Sequence, residues 1–479
     1  MFGDGRFENA EAESGGRARR LLDRRAALVG AAVIAFLLAD LASGAPRLSR
    51  QQVLPVPAGV CGDIGDPSTP AIGADGRGNL AVSLLLRGTM AASLARSSDG
   101  GRTFTASVIE GASACSGGPA SHEYLVNPRA ALGPDGTAWY GSSWIGNDRG
   151  LFAYGVEAFA SDGGVARPTG AAQDIAVLPD LHGGGARLLW DAFDQVPNPV
   201  FGGYAPTAVR LRTAVTTRRG ELSGEQTVLE PPKDKLLDDP SLVRAGNALV
   251  AVASMAGYSD LVATLNPATA ADPVRFAGVS ARSTDGGASW TPGSQAGSPV
   301  LFTASRDGHD LTVVISDVAA GPGGRVVRAY AEAPKGGRGS IVVTVSDDAG
   351  ATWSPPRTVV SAPVVAFQPA VAVLPRGRIA LSWYDARSDR PGDGRFDVEP
   401  RAAVVDLVRH RRAGLALGQP FDIGPLINPG YDTDGSALGI SQDLTALPSG
   451  FGTVHTEPAE DGAGTTRVVY SRVTTRPRQ

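Results

Sequence analysis

One block of sequence recurs along almost the whole chain, and any fold proposed for it must explain that recurrence. The block opens on a polar residue followed by Pro or Asp, runs through a short apolar stretch and a Gly-containing turn, and ends in a second apolar run often closed by an aromatic residue. It reads Pro70-Ala71-Ile72-Gly73-Ala74-Asp75-Gly76 followed by Leu80 to Leu86. It returns at Asn127-Pro128-Arg129-Ala130-Ala131-Leu132, at Gln173-Asp174-Ile175-Ala176-Val177-Leu178 and at Asp239-Pro240-Ser241-Leu242-Val243. Later copies begin at Gln368-Pro369-Ala370-Val371-Ala372-Val373 and Gln442-Asp443-Leu444. Leu311 to Ile315 with Val326 to Ala331 supply a fainter copy between the fourth and these last two. Such a unit, roughly 46 to 75 residues long, matches one four-stranded sheet plus loops of varying length.

Within each copy, short apolar or alternating runs are separated by Gly, Pro, Asp and Asn, and no 3.6-residue period is sustained. A twisted sheet cannot bury both faces alone, so repeated sheets stack on their neighbours. Radial stacking around an axis satisfies this, and an array of β-sandwiches is the competing arrangement. The chain therefore reads as all-β, with six or seven blades. Seven inner-strand blocks favour seven, unless the first and last share a blade closed by the strand around Gln52-Val53-Leu54.

A shorter motif recurs as well. Ser97-Ser98-Asp99-Gly100-Gly101-Arg102-Thr103-Phe104, Ser283-Thr284-Asp285-Gly286-Gly287-Ala288-Ser289-Trp290 and Ser346-Asp347-Asp348-Ala349-Gly350-Ala351-Thr352-Trp353 share Ser-x-Asp-x-Gly-x-[Ser/Thr]-aromatic. Ala160-Ser161-Asp162-Gly163-Gly164 is a fourth copy without the aromatic. In such a turn Asp accepts backbone N–H bonds, Gly takes φ > 0, and Phe104, Trp290 or Trp353 plugs the turn onto the sheet. These residues resemble the Asp-box, or bacterial neuraminidase repeat, of sialidase-like β-propellers. The resemblance covers most of residues 51–479 and includes Trp383-Tyr384-Asp385-Ala386-Arg387. It implies that Asp99, Asp285 and Asp348 are structural turn residues, away from any ligand channel.

The same resemblance implies a chemistry: arginines gripping a sugar carboxylate, a Tyr nucleophile assisted by Glu, and an acid/base Asp. Bidentate guanidinium groups suit a planar carboxylate, and a neutral Tyr avoids repulsion from an anionic sugar. The Arg-Ile-Pro signature of the first blade in those enzymes is missing from this sequence. Candidate catalytic residues at channel-side positions are Arg129, Asp239, Tyr384, Asp385, Arg387, Tyr431 and Glu457. Further polar clusters are Asp238-Asp239, Asp432 with Asp434, and His455 with Glu457, placed for acid/base work, for holding Ca²⁺, or for capping turns. Asp432-Thr433-Asp434-Gly435 lacks the remaining acidic positions of an EF-hand loop, so no metal ligand set is assigned. The reading is an exo-acting glycoside hydrolase on extracellular glycans, and the alternative is a non-catalytic propeller binding glycan, peptide or cell-envelope components.

The first 45 residues stand apart. Residues 1–25 form a basic polar tail with Arg17, Arg19, Arg20, Arg24 and Arg25. Residues 26–45 carry an apolar run, Ala26 to Ala39, of export-signal type. This segment is read as a signal peptide or as one membrane-anchoring helix, its basic end cytoplasmic. The propeller at 51–479 is then extracytoplasmic, secreted or anchored. Lys+Arg number 44 against 48 Asp+Glu, so no basic excess exists to neutralise phosphates and nucleic acid is excluded as a partner. In an oxidising compartment the two cysteines, Cys61 and Cys115, are expected to pair across the first repeat. Peptide mapping without reductant is expected to recover a Cys61–Cys115 linked peptide, and Cys115→Ser to lower stability by roughly 3–4 kcal/mol.

Overall fold

The structure, a computed structural model, describes residues 46–475 except 58–66, 87–90, 149–150, 199–202, 258–275, 300–301, 307–308, 314–315, 333–338, 362–365, 391–396, 409–413, 428–441 and 460–465. The basic tail and the expected helix at 26–45 lie outside the described residues, as does Cys61. Leu48–Val473 form one compact unit; the other unit, residues 1–47 and 474–479, is almost entirely outside them.

Alternating apolar runs broken at turns do form strands, and among the described residues the strands assemble into seven antiparallel blade sheets, six of them four-stranded and blade 6 five-stranded. Blade 1 comprises Pro67–Ala74, Leu80–Leu86, Ala91–Ser97 and Thr105–Val108. Blades 2 to 6 begin with the inner strands Tyr124–Leu132, Ala171–Pro179, Lys235–Ala245, Ser316–Ala320 and Ala366–Val373. Blade 7 is built from Gln442–Leu447, Gly450–Pro458 and Thr466–Thr474, and Arg47–Val53 completes it as the outermost strand. Every inner strand neighbours the inner strands of the blades on both sides, and blade 7 returns to blade 1, which closes the ring. The all-β seven-bladed propeller is thus established. The closing strand near Gln52 is present, but it belongs to blade 7 alone, and the first and last blocks are separate blades.

One expected block is displaced. Leu311-Thr312-Val313 is not the inner strand of blade 5; it pairs with Phe302–Arg306 in a separate hairpin. The inner strand is Ser316–Ala320, paired with Val326–Glu332. The apolar composition of 311–315 suited either position, and pairing partners decided between them.

Hydrophobic cores lie between blades, one at each junction. Trp383, fully buried, packs with Val371, Leu381 and Ala403 of blade 6 against Val327, Ile341 and Val343 of blade 5. Trp190 fills the blade 2–3 junction and Tyr470 the blade 7–1 junction. Burying a large apolar side chain contributes about 1.5–3 kcal/mol, so seven such junctions make the ring self-supporting.

The three Ser-x-Asp-x-Gly turns, in blades 1, 4 and 5, share one hydrogen-bond pattern between the third strand and the outer strand. Ser283 Oγ donates to Asp285 and accepts the N–H of Gly287, while Asp285 accepts both the N–H and the Oγ–H of Ser289. Asp99 with Ser97 and Thr103, and Asp348 with Ser346 and Thr352, repeat it. These donors hold the Asp99, Asp285 and Asp348 carboxyls below the usual carboxylate range. Gly101 needs its glycine: φ is 78°, and a Cβ there would strike the Tyr470 ring. Phe104 meets the same ring edge-on, with centroids 5.2 Å apart. Trp353 donates its indole N–H to Ser280 in blade 4, and Trp290 packs at the blade 3–4 junction.

Arginines from the preceding blade reach these turns. Arg472 donates to Gly100 O, Arg187 to Gly286 O and Arg282 to Asp348 O. The turns therefore fasten blade to blade as well as strand to strand. Ser283→Ala leaves the buried N–H of Gly287 without an acceptor and is expected to cost about 1–3 kcal/mol, measured as a fall in the chemical-denaturation midpoint. An unchanged midpoint would remove the turn from the stabilising framework.

Candidate functional site

The inner strands of a closed ring have no strand beyond them, so their axis-facing backbone groups need other partners. In this chain aspartates supply them across the junctions. Asp239 in blade 4 accepts the N–H of Ser316 in blade 5 at 3.0 Å, and its hydroxyl at 2.7 Å. Asp317 in blade 5 accepts the N–H of Val371 in blade 6 at 2.6 Å, and Asp443 in blade 7 accepts that of Ile72 in blade 1 at 2.7 Å. Asp174 in blade 3 accepts the Asn127 side-chain amide of blade 2.

A repeated irregularity aims these side chains. Pairing of the first two strands slips at Ser68/Ala71, Val126/Arg129, Ala172/Ile175, Asp238/Ser241 and Phe367/Ala370. At four of these bulges the residue before a proline is left-handed: Thr69, Asn127, Asp239 and Gln368, with φ of 48–55°. A left-handed non-glycine residue costs about 1–3 kcal/mol, and a following proline disfavours helical-type backbone further. Strain placed in register around an axis marks that level of the channel as constrained.

Three carboxylates meet there. Asp174 and Asp191 of blade 3 and Asp238 of blade 4 each bring an oxygen within 4.8 Å of the others. Asp191 accepts the backbone N–H groups of Gln173 and Asp174, which fixes it from below. Asp174 and Asp191 are buried, and Asp238 is partly buried. Burial and mutual repulsion lift Asp174 to about 6 and Asp238 to about 7, and Asp191 well above the usual range. Asp317 and Asp443 rise for the same reasons, to about 6 and about 7. Burial raises Asp239 too, against the pull of Arg129.

Arg129 reaches this level from blade 2. Its Nη2 lies 3.9 Å from Asp239 Oδ1, and its side chain is 40% exposed. It lowers Asp174, Asp239, Asp317 and Asp443 together, so one cation is shared among several carboxylates. A second cation is wholly buried: Arg328 donates to Ser316 Oγ, Ser254 Oγ and the carbonyls of Ala253 and Ala296. Ser316 joins it to Asp239 in a chain from guanidinium to hydroxyl to carboxylate. The trio of Asp174, Asp191 and Asp238 could hold a divalent cation such as Ca²⁺, whose 6–8 oxygen ligands would then have to come mostly from water or sugar hydroxyls.

The residues singled out from sequence divide sharply. Arg129 and Asp239 meet at the axis. Tyr384 does not: it is fully buried, stacked on Phe367 at 5.7 Å, with its hydroxyl bonded to the Thr456 backbone. Burial raises its phenol, so it belongs to the blade 6–7 packing. Asp385 and Arg387 pair with each other beside Trp383, the carboxylate accepting the Arg387 N–H and Nε–H. The neighbouring charges of Arg387 are Asp385, Glu399 and Asp422 of blade 6 rather than the axial set. Glu457 accepts from Arg467 and lies 2.8 Å from His455 Nε2. Burial pushes its carboxyl up, but His455 and Arg467 outweigh this and hold it below the ordinary value. Tyr431, Asp432 and Asp434 lie outside the described residues. Cys115 is disulfide-bonded. Asp174, Asp191, Asp317, Asp443 and Arg328 were not singled out as chemistry, although a polar-Asp pair opens two of the repeated blocks, at Gln173-Asp174 and Gln442-Asp443.

No known family matches the sequence, and no curated protein matches it. Solved structures it resembles include the intramolecular trans-sialidase from Ruminococcus gnavus, at 12% identity over 88% of this chain and 96% of that one, TM-score 0.45. The NanB sialidase from Streptococcus pneumoniae matches at 11% identity over 88% and 71%, TM-score 0.44. An ulvan lyase of family PL25 matches at 10% identity over 89% and 96%, TM-score 0.49. These are likenesses of fold, and nothing about the axial residues is carried over from them.

A pH dependence follows from the axial set. These folded-state values lie above the unfolded carboxylate value, so the folded protein binds more protons than the unfolded chain, and stability falls as pH rises through about 6–7. The turn aspartates act oppositely: their depressed values contribute stability that is lost in acid. Melting temperature is therefore expected to peak in weak acid. Asp238→Asn should flatten the decline between pH 5 and 8, and an unchanged slope would contradict a protonated axial set.

Proposed function

We propose that the chain is an exported, carbohydrate-active propeller that cleaves glycosidic bonds at the axial site by carboxylic acid and carboxylate catalysis. The observation that carries this reading is Asp238, less deeply buried than Asp174 and Asp191, a carboxyl titrating at about 7 in a cluster whose nearest members differ from it in hydrogen bonding. Unequal environments for neighbouring carboxyls separate an acid from a base. Asp238 would protonate the leaving oxygen, and Asp239, backed by Ser316 and beside Arg129, would steady the positive charge developing on the sugar. Oxygens of Asp174 and Asp238 lie within 4.8 Å, nearer the ~5–5.5 Å of retaining hydrolysis than the ~6.5–9.5 Å of inverting. The reading thus has Asp174 as nucleophile and predicts retention.

Support for an extracellular substrate comes from the arginine-rich tail and apolar run of residues 17–39. The three turns at Asp99, Asp285 and Asp348 support the Asp-box resemblance through their shared hydrogen bonding. Exo-action fits an axial site ringed by seven inner strands, which receives a chain end more readily than a through-running polymer. A second reading, a non-catalytic glycan- or peptide-binding propeller, is favoured by the clasps that Asp239, Asp317 and Asp443 make to neighbouring blades, since those oxygens already have structural work.

A fluorogenic glycoside panel that includes a sialoside, applied to the full chain, separates the two. Hydrolysis of a panel member is expected, with Asp238→Asn lowering kcat/KM by roughly 10²–10⁴-fold. Tyr384→Phe should leave the rate within a few-fold. Binding that survives in wild type and Asp238→Asn alike, with no turnover in either, would establish the binding module instead.

A further inference from the structure

Arg328, on the second strand of blade 5 (Val326–Glu332), is a fully buried cation whose hydrogen-bond partners among the described residues are all neutral. Its Nε and Nη2 donate to Ser316 Oγ at 3.1 and 2.8 Å, and Nη2 donates to Ser254 Oγ at 2.7 Å. Its Nη1 donates to the carbonyls of Ala296 and Ala253 at 3.1 and 3.4 Å. That accounts for all five of its N–H groups. Gly278 leaves room for the group, since a Cβ there would strike Nη1. A buried charge without a counter-charge is strongly unfavourable. Burial pulls this guanidinium down to about 10, and Asp239 is the first charge that opposes it.

The link to Asp239 fixes where hydrogens sit. Ser316 Oγ has one hydrogen and two lone pairs. Both lone pairs face Arg328, so the hydrogen is left for Asp239 Oδ2, 2.7 Å away. The same Oδ2 accepts the Ser316 backbone N–H at 3.0 Å, which leaves it no lone pair free to carry a proton. Oδ1 lies 3.9 Å from Arg129 Nη2, where an added O–H would confront further N–H donors. Burial lifts the Asp239 carboxyl, and Arg129, Ser316 and Arg328 all oppose that. The clasps at Asp317 and Asp443 end on backbone N–H groups, whereas the clasp at Asp239 continues to a guanidinium.

The charges that face Asp239 are Asp238 beside it, Asp174 from blade 3, Asp317 and Arg328 from blade 5 and Arg129 from blade 2; Tyr330 flanks Arg328. After burial, repulsion from Asp239 contributes to lifting Asp174, Asp238 and Asp317. An anion at Asp239 therefore favours protons on its neighbours.

We propose that Arg328 is a positioning residue which, through the Ser316 hydroxyl, holds Asp239 as a carboxylate and so leaves the proton with Asp238. The catalytic meaning of this division rests on the axial site being the hydrolytic one.

Carbon-detected NMR of the aspartate-labelled full chain tests it, with the Asp238 and Asp239 signals identified by their loss in Asp238→Asn and Asp239→Asn. Asp239 is expected to be ionised at pH 7 and to titrate below Asp238. In Arg328→Met, Asp239 should take up the proton and the Asp238 midpoint should fall by about one pH unit. Loss of a nearby cation acting only through space would move Asp238 the other way. Arg328→Lys, which keeps the charge, should restore the wild-type order. Ser316→Ala should act like Arg328→Met but more weakly, and Ser316→Thr like wild type; this pair decides if Arg328→Met lacks a native near-UV spectrum. A protonated Asp239 in wild type at pH 7 overturns the proposal, as does an Asp238 midpoint that rises or stays in place in the folded variants. If a glycoside is hydrolysed, the pH optimum of kcat/KM should move towards acid in Ser316→Ala and not in Ser316→Thr. The expected charge pattern without hydrolysis of any glycoside upholds the role of Arg328 and removes the hydrolase reading instead.

Discussion

A ring of blades leaves seven inner strands with one edge facing the axis, and the rest of this structure depends on how those edges are satisfied. Four-stranded sheets pair their backbones internally, but the innermost N–H groups point where no further strand can fit. Asp239, Asp317 and Asp443 answer this by accepting an N–H from the next blade. Each bond is local, yet together they bind neighbouring blades at the point where the sheets converge. The outer fastening is independent: Arg472, Arg187 and Arg282 hold the turns of the following blades, and Arg47–Val53 closes blade 7.

Concentrating carboxyl groups at the axis has an electrostatic consequence. Removed from bulk water and facing one another, they hold protons far above the ordinary carboxylate range. Groups that titrate at about 6–7 are suited to exchanging protons near neutrality. The same arrangement therefore serves architecture and provides chemistry. Asp238 and Asp239 show how adjacent residues can part company: Asp239 is fastened to Ser316, while Asp238 is only partly buried beside Asp174 and Asp191. The left-handed residues before Pro70, Pro128, Pro240 and Pro369 add backbone strain at the same level, which the packed junctions outside must offset.

Much of the architecture was legible because it repeats. Six of the seven inner strands coincide with the polar-Pro or polar-Asp blocks, and the Ser-x-Asp-x-Gly turns have the hydrogen bonds that their residue types require. Blade 5 was misplaced because Leu311 to Ile315 is as apolar as a true inner strand, and composition does not encode pairing. The candidate site was harder to read. Tyr384, Asp385 and Arg387 stand together in a conspicuous phrase, but strand alternation sends Tyr384 into a junction and a turn pairs Asp385 with Arg387. Asp174, Asp317 and Asp443 are single acidic residues at strand starts, and only the bulges and the closed ring bring them near one another. Arg328 offered no sequence signal, since one arginine inside an apolar run is read as surface until its burial is known.

The central claim is that axial aspartates hold protons near neutrality while joining the blades. Carbon-detected NMR of side-chain carboxyls in aspartate-labelled protein, followed from pH 3 to 9, tests it most directly. The account predicts a small group of aspartate carboxyl carbons titrating between about 6 and 7, with the Asp238 signal identified by its loss in Asp238→Asn. Titration of every aspartate carboxyl below about 5 would contradict it.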